Sequence, residues 1–161
     1  RRNAEIRAER LTAAEIVALE RSDPERMEAL KKACTAWRIP ASSGSSRRLF
    51  GCRPGRTSFS VSPAGVFRLC ASLWHPDFIY DLGRGNLRQA WFEFAPAALS
   101  RRSRRRAFLD RCGSCSLINL CLWCPAHADL ETGSLTKPVD EFCRVAHARA
   151  EALATRPGGG S

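Results

Sequence analysis

Eight cysteines are the residues of this sequence with the most distinctive chemistry, and four of them fall in one short stretch. That stretch, Cys112 to Cys124, reads CGSCSLINLCLWC and contains two C-x2-C pairs separated by five residues. Two cysteines with this spacing are readily placed on one turn, so that both thiolates point at the same ion or cluster. Gly113 leaves one such turn uncrowded, because glycine has no side chain. The spacing therefore predicts a metal or cluster site.

Disulfide and zinc chemistry are the alternatives for these thiols. The N-terminal stretch RRNAEIRAER has no apolar run typical of a secretory signal, so a disulfide framework is disfavoured. A redox C-x2-C normally opens a helix after a buried parallel strand, and neither pair has that context. A zinc ribbon needs more chain than five residues between its two knuckles. It is more natural for three of these cysteines to serve one centre and for the fourth to be directed elsewhere.

The other cysteines extend the pattern over most of the chain. Cys52 is followed after twelve residues by Gly65 and after four more by Cys70, and Cys143 follows Cys124 after eighteen residues. With the central stretch, this arrangement resembles the seven-cysteine pattern of the SPASM domain. That domain is the C-terminal auxiliary iron-sulfur domain of radical S-adenosylmethionine enzymes that modify peptides or proteins. The similarity covers about residues 49–153, including GRGNLRQAW and CPAHADLETG.

The resemblance implies two clusters, each most simply a 4Fe-4S cluster. It assigns the first auxiliary cluster to Cys52, Cys70 and Cys124, and the second to Cys112, Cys115, Cys121 and Cys143.

The first set lacks a fourth cysteine, and two features depart from the family pattern. The family more often has three residues where this chain has two between Cys121 and Cys124, and Ser58 lies where a further cysteine is common. The fourth iron is then open, ligated by Cys34, or held by a non-cysteine ligand. His127 and His147 follow cluster cysteines closely, but we interpret them as surface or capping residues.

By this resemblance, the chain is the auxiliary domain of a radical enzyme and acts in electron transfer, in substrate positioning, or in both. The catalytic cluster of such enzymes is bound by C-x3-C-x2-C on a barrel, and no three cysteines here have that spacing. S-adenosylmethionine is therefore expected only through a barrel domain outside this chain, which should not be catalytic alone. Expected partners are that barrel domain, a peptide or protein substrate, and a flavodoxin- or ferredoxin-type reductant.

Two other classes of function remain open. One is a zinc-stabilised binding module in which the cysteines serve folding only, and the other is a cluster-free module that binds peptides or proteins.

Charge and hydropathy restrict the remaining possibilities. The chain has 161 residues and a formal charge of +10, and RRSRRR at 101–106 is its densest basic run. We place that run on the solvated face of a helix within residues 96–111, since no nucleic-acid-binding motif accompanies it. We do not expect nucleic acid as the main partner. No apolar window is long enough to span a membrane, and a cytoplasmic location is expected.

The elements that must position the cysteines are readable from periodicity and capping signals. Thr12 with Glu15 predicts a helix over Ala13 to Arg21, and Asp23-Pro24 begins a second helix. Alternation predicts a β-hairpin around the turn 63–65, with a second strand from Val66 to Cys70. A short helix is predicted over 87–94, and a last helix is predicted near Pro138 and Asp140.

These signals predict an α+β fold, with a small hairpin, helices and cysteine-rich loops around two clusters. Residues 1–48 are expected to be a helical segment and Ser/Gly linker, which is either the end of a missing radical-enzyme barrel or the connection to it. Residues 49–153 are expected to be the SPASM-like domain, and 154–161 a disordered tail.

Overall fold

A computed structural model describes residue 5 and residues 8–36, 47–51, 54–121 and 123–154, with only the main chain for 34–36. Cys52, the Cys34 side chain, the Ser/Gly linker and the predicted tail beyond Ala154 lie outside the described residues. The elements in chain order are α1 (Ala13–Arg21), α2 (Pro24–Ala36), β1 (Ser60–Val61), β2 (Val66–Arg68), a 3-10 turn (Pro76–Phe78), β3 (Ile79–Asp81), α3 (Leu87–Gln89), a π-helical turn (Ala90–Phe94), α4 (Ala95–Leu99), α5 (Arg106–Arg111), α6 (Ile118–Cys121), α7 (Pro125–Thr132) and α8 (Asp140–Ala154).

The fold is α+β, as predicted, and its strands form one small antiparallel sheet in the order β1-β2-β3. In the predicted hairpin, Val61 pairs with Phe67 across a turn in which Gly65 takes a φ of 72°. That left-handed conformation is one that glycine adopts without strain. The predicted second strand is too long, since β2 ends at Arg68, and the third strand was not predicted.

The predicted helix starts are confirmed. Thr12 and Glu15 form a reciprocal capping box, in which the Thr12 amide donates to the Glu15 carboxylate at 2.7 Å. These hydrogen bonds hold the pKa of Glu15 below its ordinary value. The Asp23 carboxylate accepts from the Arg26 amide at 3.0 Å, ahead of Pro24 at the start of α2.

The prediction of one helix through the arginine run is wrong. Helix α4 ends at Leu99, and α5 begins only at Arg106. Between them, Ser103 is buried, and its amide donates to the Arg47 carbonyl at 2.8 Å. A backbone partner on a distant segment has replaced the helical hydrogen bonds, which local periodicity cannot reveal.

The chain forms two compact units that exchange segments. Unit 1 takes its described residues from Arg1–Ser43, Ser116–Leu122 and Asp140–Ser161, and unit 2 from Gly44–Cys115 and Trp123–Val139. In unit 1, α1 packs on α2 and α8, and α6 packs on α2 and α8. The core of unit 2 joins the sheet to its helices through buried side chains that include Phe67, Leu69, Leu73, Phe78 and Phe108. The stretch Cys112 to Cys124 thus passes from unit 2 into unit 1 and back.

None of the helices in the described part of the chain combines the length and apolar character that crossing a membrane requires.

Candidate metal centre

Six of the seven predicted ligand cysteines are described, and no disulfide joins any two of these six. They lie at the ends of elements or in short turns, apart from Cys143, which lies within α8. The seventh, Cys52, is outside the described residues.

Cys112 and Cys115 share one turn at the end of α5. Cys112 caps this helix, its amide donating to the Phe108 carbonyl at 2.8 Å, and it is buried. The Cys115 amide then donates to the Cys112 carbonyl at 3.4 Å. The turn therefore holds the first C-x2-C pair together, as its spacing predicted.

Three cysteines border the core of unit 2. Cys112 belongs to that core, and Cys70 and Cys124 pack against it while partly exposed. Cys70 follows β2 in a turn closed by a hydrogen bond from the Leu73 amide to its carbonyl, and Cys124 is the N-cap residue of α7. Two ligands assigned to the first cluster thus lie around one core, although they are 54 positions apart in sequence.

The other two described cysteines belong to unit 1. Cys121 ends α6 and packs against a core formed by Leu30, Leu120 and Ala146. Cys143 lies one turn before Ala146 and two turns before Ala150, so all three lie toward the same side of α8. Since α6 packs on α8, this side brings Cys143 toward the helix that carries Cys121.

A buried ion pair fixes the helices that carry these two cysteines. The Arg149 guanidinium donates to both carboxylate oxygens of Glu20, at 2.7 and 2.9 Å, and to the Leu120 carbonyl at 2.7 Å. Arg26 donates to the same carboxylate. Burial raises the pKa of Glu20, but the hydrogen bonds and charges of Arg149 and Arg26 outweigh it and hold the pKa below its ordinary value.

Neither predicted ligand set lies wholly among the described residues of one unit. Among the described residues, no group of three or more histidine, cysteine or acidic side chains is arranged to hold a metal ion. The four cysteines assigned to the second cluster are divided, with Cys112 and Cys115 in unit 2 and Cys121 and Cys143 in unit 1. The assignments of both sets stay predictions.

A buried arginine lies beside Cys70. Arg68 is only 5% exposed, and it forms no salt bridge with a described residue. Its guanidinium stacks on Trp74 at 3.6 Å from the ring centroid and donates to the carbonyl of Ala71, which follows Cys70, at 3.4 Å. Its Nε is buried without a hydrogen-bond partner. A buried cation with an unsatisfied donor calls for an anionic acceptor.

A second unsatisfied donor lies beside Cys124. Trp123 packs its ring against Phe108, with centroids 5.0 Å apart, and its indole Nε1 is buried without a hydrogen-bond partner. The two side-chain donors with this status among the described residues therefore belong to the neighbours of Cys70 and Cys124.

These donors provide a test of whether the residues fit an iron-sulfur cluster. Thiolates are the ligands that such clusters use, and N–H donors directed at their sulfur atoms are a common means of tuning them. Unsatisfied donors thus lie two residues from Cys70 and one residue from Cys124 in the sequence, and this combination of thiols and N–H donors is the chemistry that an anionic, sulfur-rich group would use.

The histidines take no visible part in this region. His127 and His147 are both exposed, in agreement with the surface interpretation. His75 caps the 3-10 turn, its Nδ1 accepting from the Asp77 amide at 3.2 Å.

Sequence reasoning missed the importance of Arg68, because the alternation of the strand gave no sign of its burial. Arg68 stands between Phe67 and Leu69 in the second strand, where alternation would place it on the face opposite those two side chains. The unsatisfied indole of Trp123 had no signal in the sequence, because only the packed structure shows which donors lack partners.

Comparison of the chain with protein-family models, curated proteins and solved structures finds no match.

Proposed function

We propose that this chain is a SPASM-type auxiliary iron-sulfur domain of a radical S-adenosylmethionine enzyme that modifies a peptide or protein. The observation that carries the proposal is the pair of unsatisfied buried donors, Arg68 Nε and Trp123 Nε1, beside Cys70 and Cys124. The spacing of seven cysteines supports it independently.

In this proposal, Cys52, Cys70 and Cys124 hold the first cluster, and Cys112, Cys115, Cys121 and Cys143 hold the second. When bound, each cluster supplies a one-electron carrier. The guanidinium of Arg68 offsets negative charge near Cys70, and Trp123 donates a hydrogen bond near Cys124. The packed rings of Phe108 and Trp123 limit the access of water to this side of unit 2.

The proposed setting follows from the same chemistry. Thiolate ligands require a reducing compartment, for which we propose the cytoplasm. The partners would be a radical enzyme barrel that binds S-adenosylmethionine, a peptide or protein substrate, and an acidic reductant of the flavodoxin or ferredoxin type. Association with such a reductant should weaken as salt is added, because the chain is strongly basic.

The decisive experiment is anaerobic reconstitution of the full chain with iron and sulfide, followed by metal and sulfide analysis and electron paramagnetic resonance. We expect iron and acid-labile sulfide in near-equal amounts, with a visible chromophore that bleaches on reduction. Cys115→Ser and Cys70→Ser should each lower the iron content. Ser114→Ala alters the same turn without removing a thiol, and it should not.

The zinc-stabilised module is the competing outcome of this experiment. A colourless protein that retains stoichiometric zinc and no sulfide would overturn the cluster proposal. Unchanged iron content in both cysteine variants would also overturn it. Cys34→Ser addresses the fourth ligand of the first cluster, since only ligation by Cys34 predicts a loss of iron there.

A further inference from the structure

A basic depression on unit 2 is lined by residues that include none of the six described cysteines. It has a volume of about 460 Å³, and its wall carries three arginines, Arg48, Arg56 and Arg102, together with Trp91 and Phe92. None of its described lining residues is acidic. Arg56 and Arg102 are exposed and form no salt bridge within the described part of the chain. The depression thus concentrates positive charge against an aromatic wall.

Backbone contacts hold two of these arginines in place. Arg48 and Arg102 are bridge partners, and the neighbouring Ser103 amide donates to the Arg47 carbonyl at 2.8 Å. The aromatic wall comes from the π-helical turn Ala90–Phe94, a rare geometry that is frequent at functional sites. The described contact of Arg102 is made by its backbone, so replacing its side chain should leave the fold intact.

An apolar depression adjoins the basic one and shares Trp91 and Phe92 with it. Its volume is about 320 Å³, and its other lining residues are Phe59, Leu87 and Arg88. Phe92 is 65% exposed, Leu87 46% and Phe59 42%. Neighbouring exposed apolar side chains of this size are typical of an interaction surface.

We propose that this two-part surface binds an acidic peptide segment in which an apolar side chain stands next to carboxylates. The carboxylates enter the basic depression, where Arg56 and Arg102 donate charge-assisted hydrogen bonds to them. The apolar side chain packs between Phe59, Leu87 and Phe92. The basic depression complements the carboxylates of such a segment, and the adjacent apolar depression complements its apolar side chain.

Single-stranded nucleic acid fits this surface less well. Stacking of successive bases needs open aromatic faces together with cations along the whole path. One face of Phe92 is covered by the Arg88 guanidinium, 5.4 Å from its centroid, and Phe59 stacks on Phe67 at 5.2 Å. Among the described residues that line the apolar depression, Arg88 is the one cation, and it already contacts Phe92.

The test measures fluorescence anisotropy of a labelled synthetic peptide that alternates glutamate and leucine, using the full chain with and without reconstituted metal. We expect binding that weakens with salt, and a loss of about tenfold in affinity for Arg56→Ala and for Arg102→Ala. The matched control is Arg104→Ala, which removes an exposed arginine from the same run without touching the depression, and it should change affinity less than twofold. Because none of the described lining residues is a cysteine, binding by the metal-free chain tests this proposal separately from the cluster.

Two further probes separate the parts of the surface. A peptide of glutamate and alanine should bind more weakly than the leucine peptide, and Phe92→Ala should remove that difference. Leu130→Ala, which removes an equally exposed side chain elsewhere on unit 2, should leave it. The proposal is overturned if the peptide fails to bind, if Arg104→Ala weakens binding as much as Arg102→Ala, or if oligouridine binds more tightly than the peptide.

Discussion

Two buried arginines, one in each compact unit, have opposite surroundings. Arg149 in unit 1 is 8% exposed, forms a bidentate pair with Glu20, and donates its remaining hydrogen bond to Leu120. Arg68 in unit 2 is 5% exposed, faces no described carboxylate, and leaves its Nε unsatisfied. Burial is therefore the same for the two arginines, whereas the compensation of their charge differs.

This difference separates an arginine whose charge and hydrogen bonds are satisfied within the chain from one whose Nε has no described partner. A buried charge is tolerated when its hydrogen bonds and counter-charge are in place, and Arg149 meets both conditions within the chain. Arg68 has neither a counter-charge nor a full set of hydrogen bonds among the described residues. Its guanidinium has only the stacked Trp74 ring and one long hydrogen bond to Ala71. In the function proposed above, a cluster held by Cys70 would supply the missing anionic acceptor.

The largest effect is expected from Arg149→Leu. This change leaves the Glu20 carboxylate buried against Arg26 alone and removes the donor to Leu120, so unfolding should become easier by about 3 kcal/mol. Urea unfolding followed by circular dichroism measures it. Arg144→Leu, which replaces an exposed arginine on the same helix, is the control and should cost less than about 0.5 kcal/mol. Equal losses of unfolding free energy in the two variants would show that Arg149 contributes no more to stability than an exposed arginine does.

The ion pair also predicts how the stability of unit 1 depends on pH. Because the folded pKa of Glu20 lies below the ordinary value of 4.5, its contribution is complete above that value. The contribution is lost as the pH falls further, through the lowered folded pKa, where the carboxylate becomes protonated. Glu20→Gln should flatten the acid side of the stability profile of unit 1 in hydrogen exchange. An unchanged acid limb would show that other groups control it.

Sequence reasoning gave the local elements more reliably than their partners. The starts of α1 and α2 depend on side chains three residues apart, and Thr12 with Glu15 was sufficient to locate the first of them. The arginine run was misassigned because Ser103 pairs with Arg47, 56 residues earlier. The exchange of residues 116–122 into unit 1 is likewise a product of packing between distant segments.

The same limit applies to the candidate site. Spacing placed Cys112 and Cys115 on one turn, which is a local property. The grouping of Cys70 with Cys124 at one core depends on how the sheet meets α7, and the sequence suggested it only through the family resemblance. That Arg68 and Trp123 carry unsatisfied donors depends on every atom packed around them, so no pattern of residue types could indicate it.

Arg68→Met is expected to behave unlike Arg149→Leu. In the metal-free chain it should change the free energy of unfolding by less than about 1 kcal/mol, because the lost contact with Trp74 is offset by removal of an unsatisfied buried donor. In the reconstituted chain it should speed the loss of iron to a chelator. Arg104→Met controls for net charge. If Arg68→Met lowered the free energy of unfolding of the metal-free chain by about 3 kcal/mol, the charge and hydrogen bonds of Arg68 would already be satisfied without a ligand. The contrast with Arg149 would then be wrong.

The smallest effect is expected from Trp123→Phe, which keeps an aromatic ring against Phe108 and removes only the unsatisfied indole donor. Without metal, the cost of the smaller ring and the relief of the buried N–H should nearly cancel, leaving a change below about 1 kcal/mol. With metal, the midpoint potential should fall, because a hydrogen bond to sulfur stabilises the more negative reduced state. Trp91→Phe makes the same change of ring size at a tryptophan that is not among the described residues with a buried unsatisfied donor, and it should leave the midpoint potential unchanged. If the midpoint potential fell in both variants, the effect would come from ring size. If it changed in neither, the Trp123 indole would not donate to a cluster.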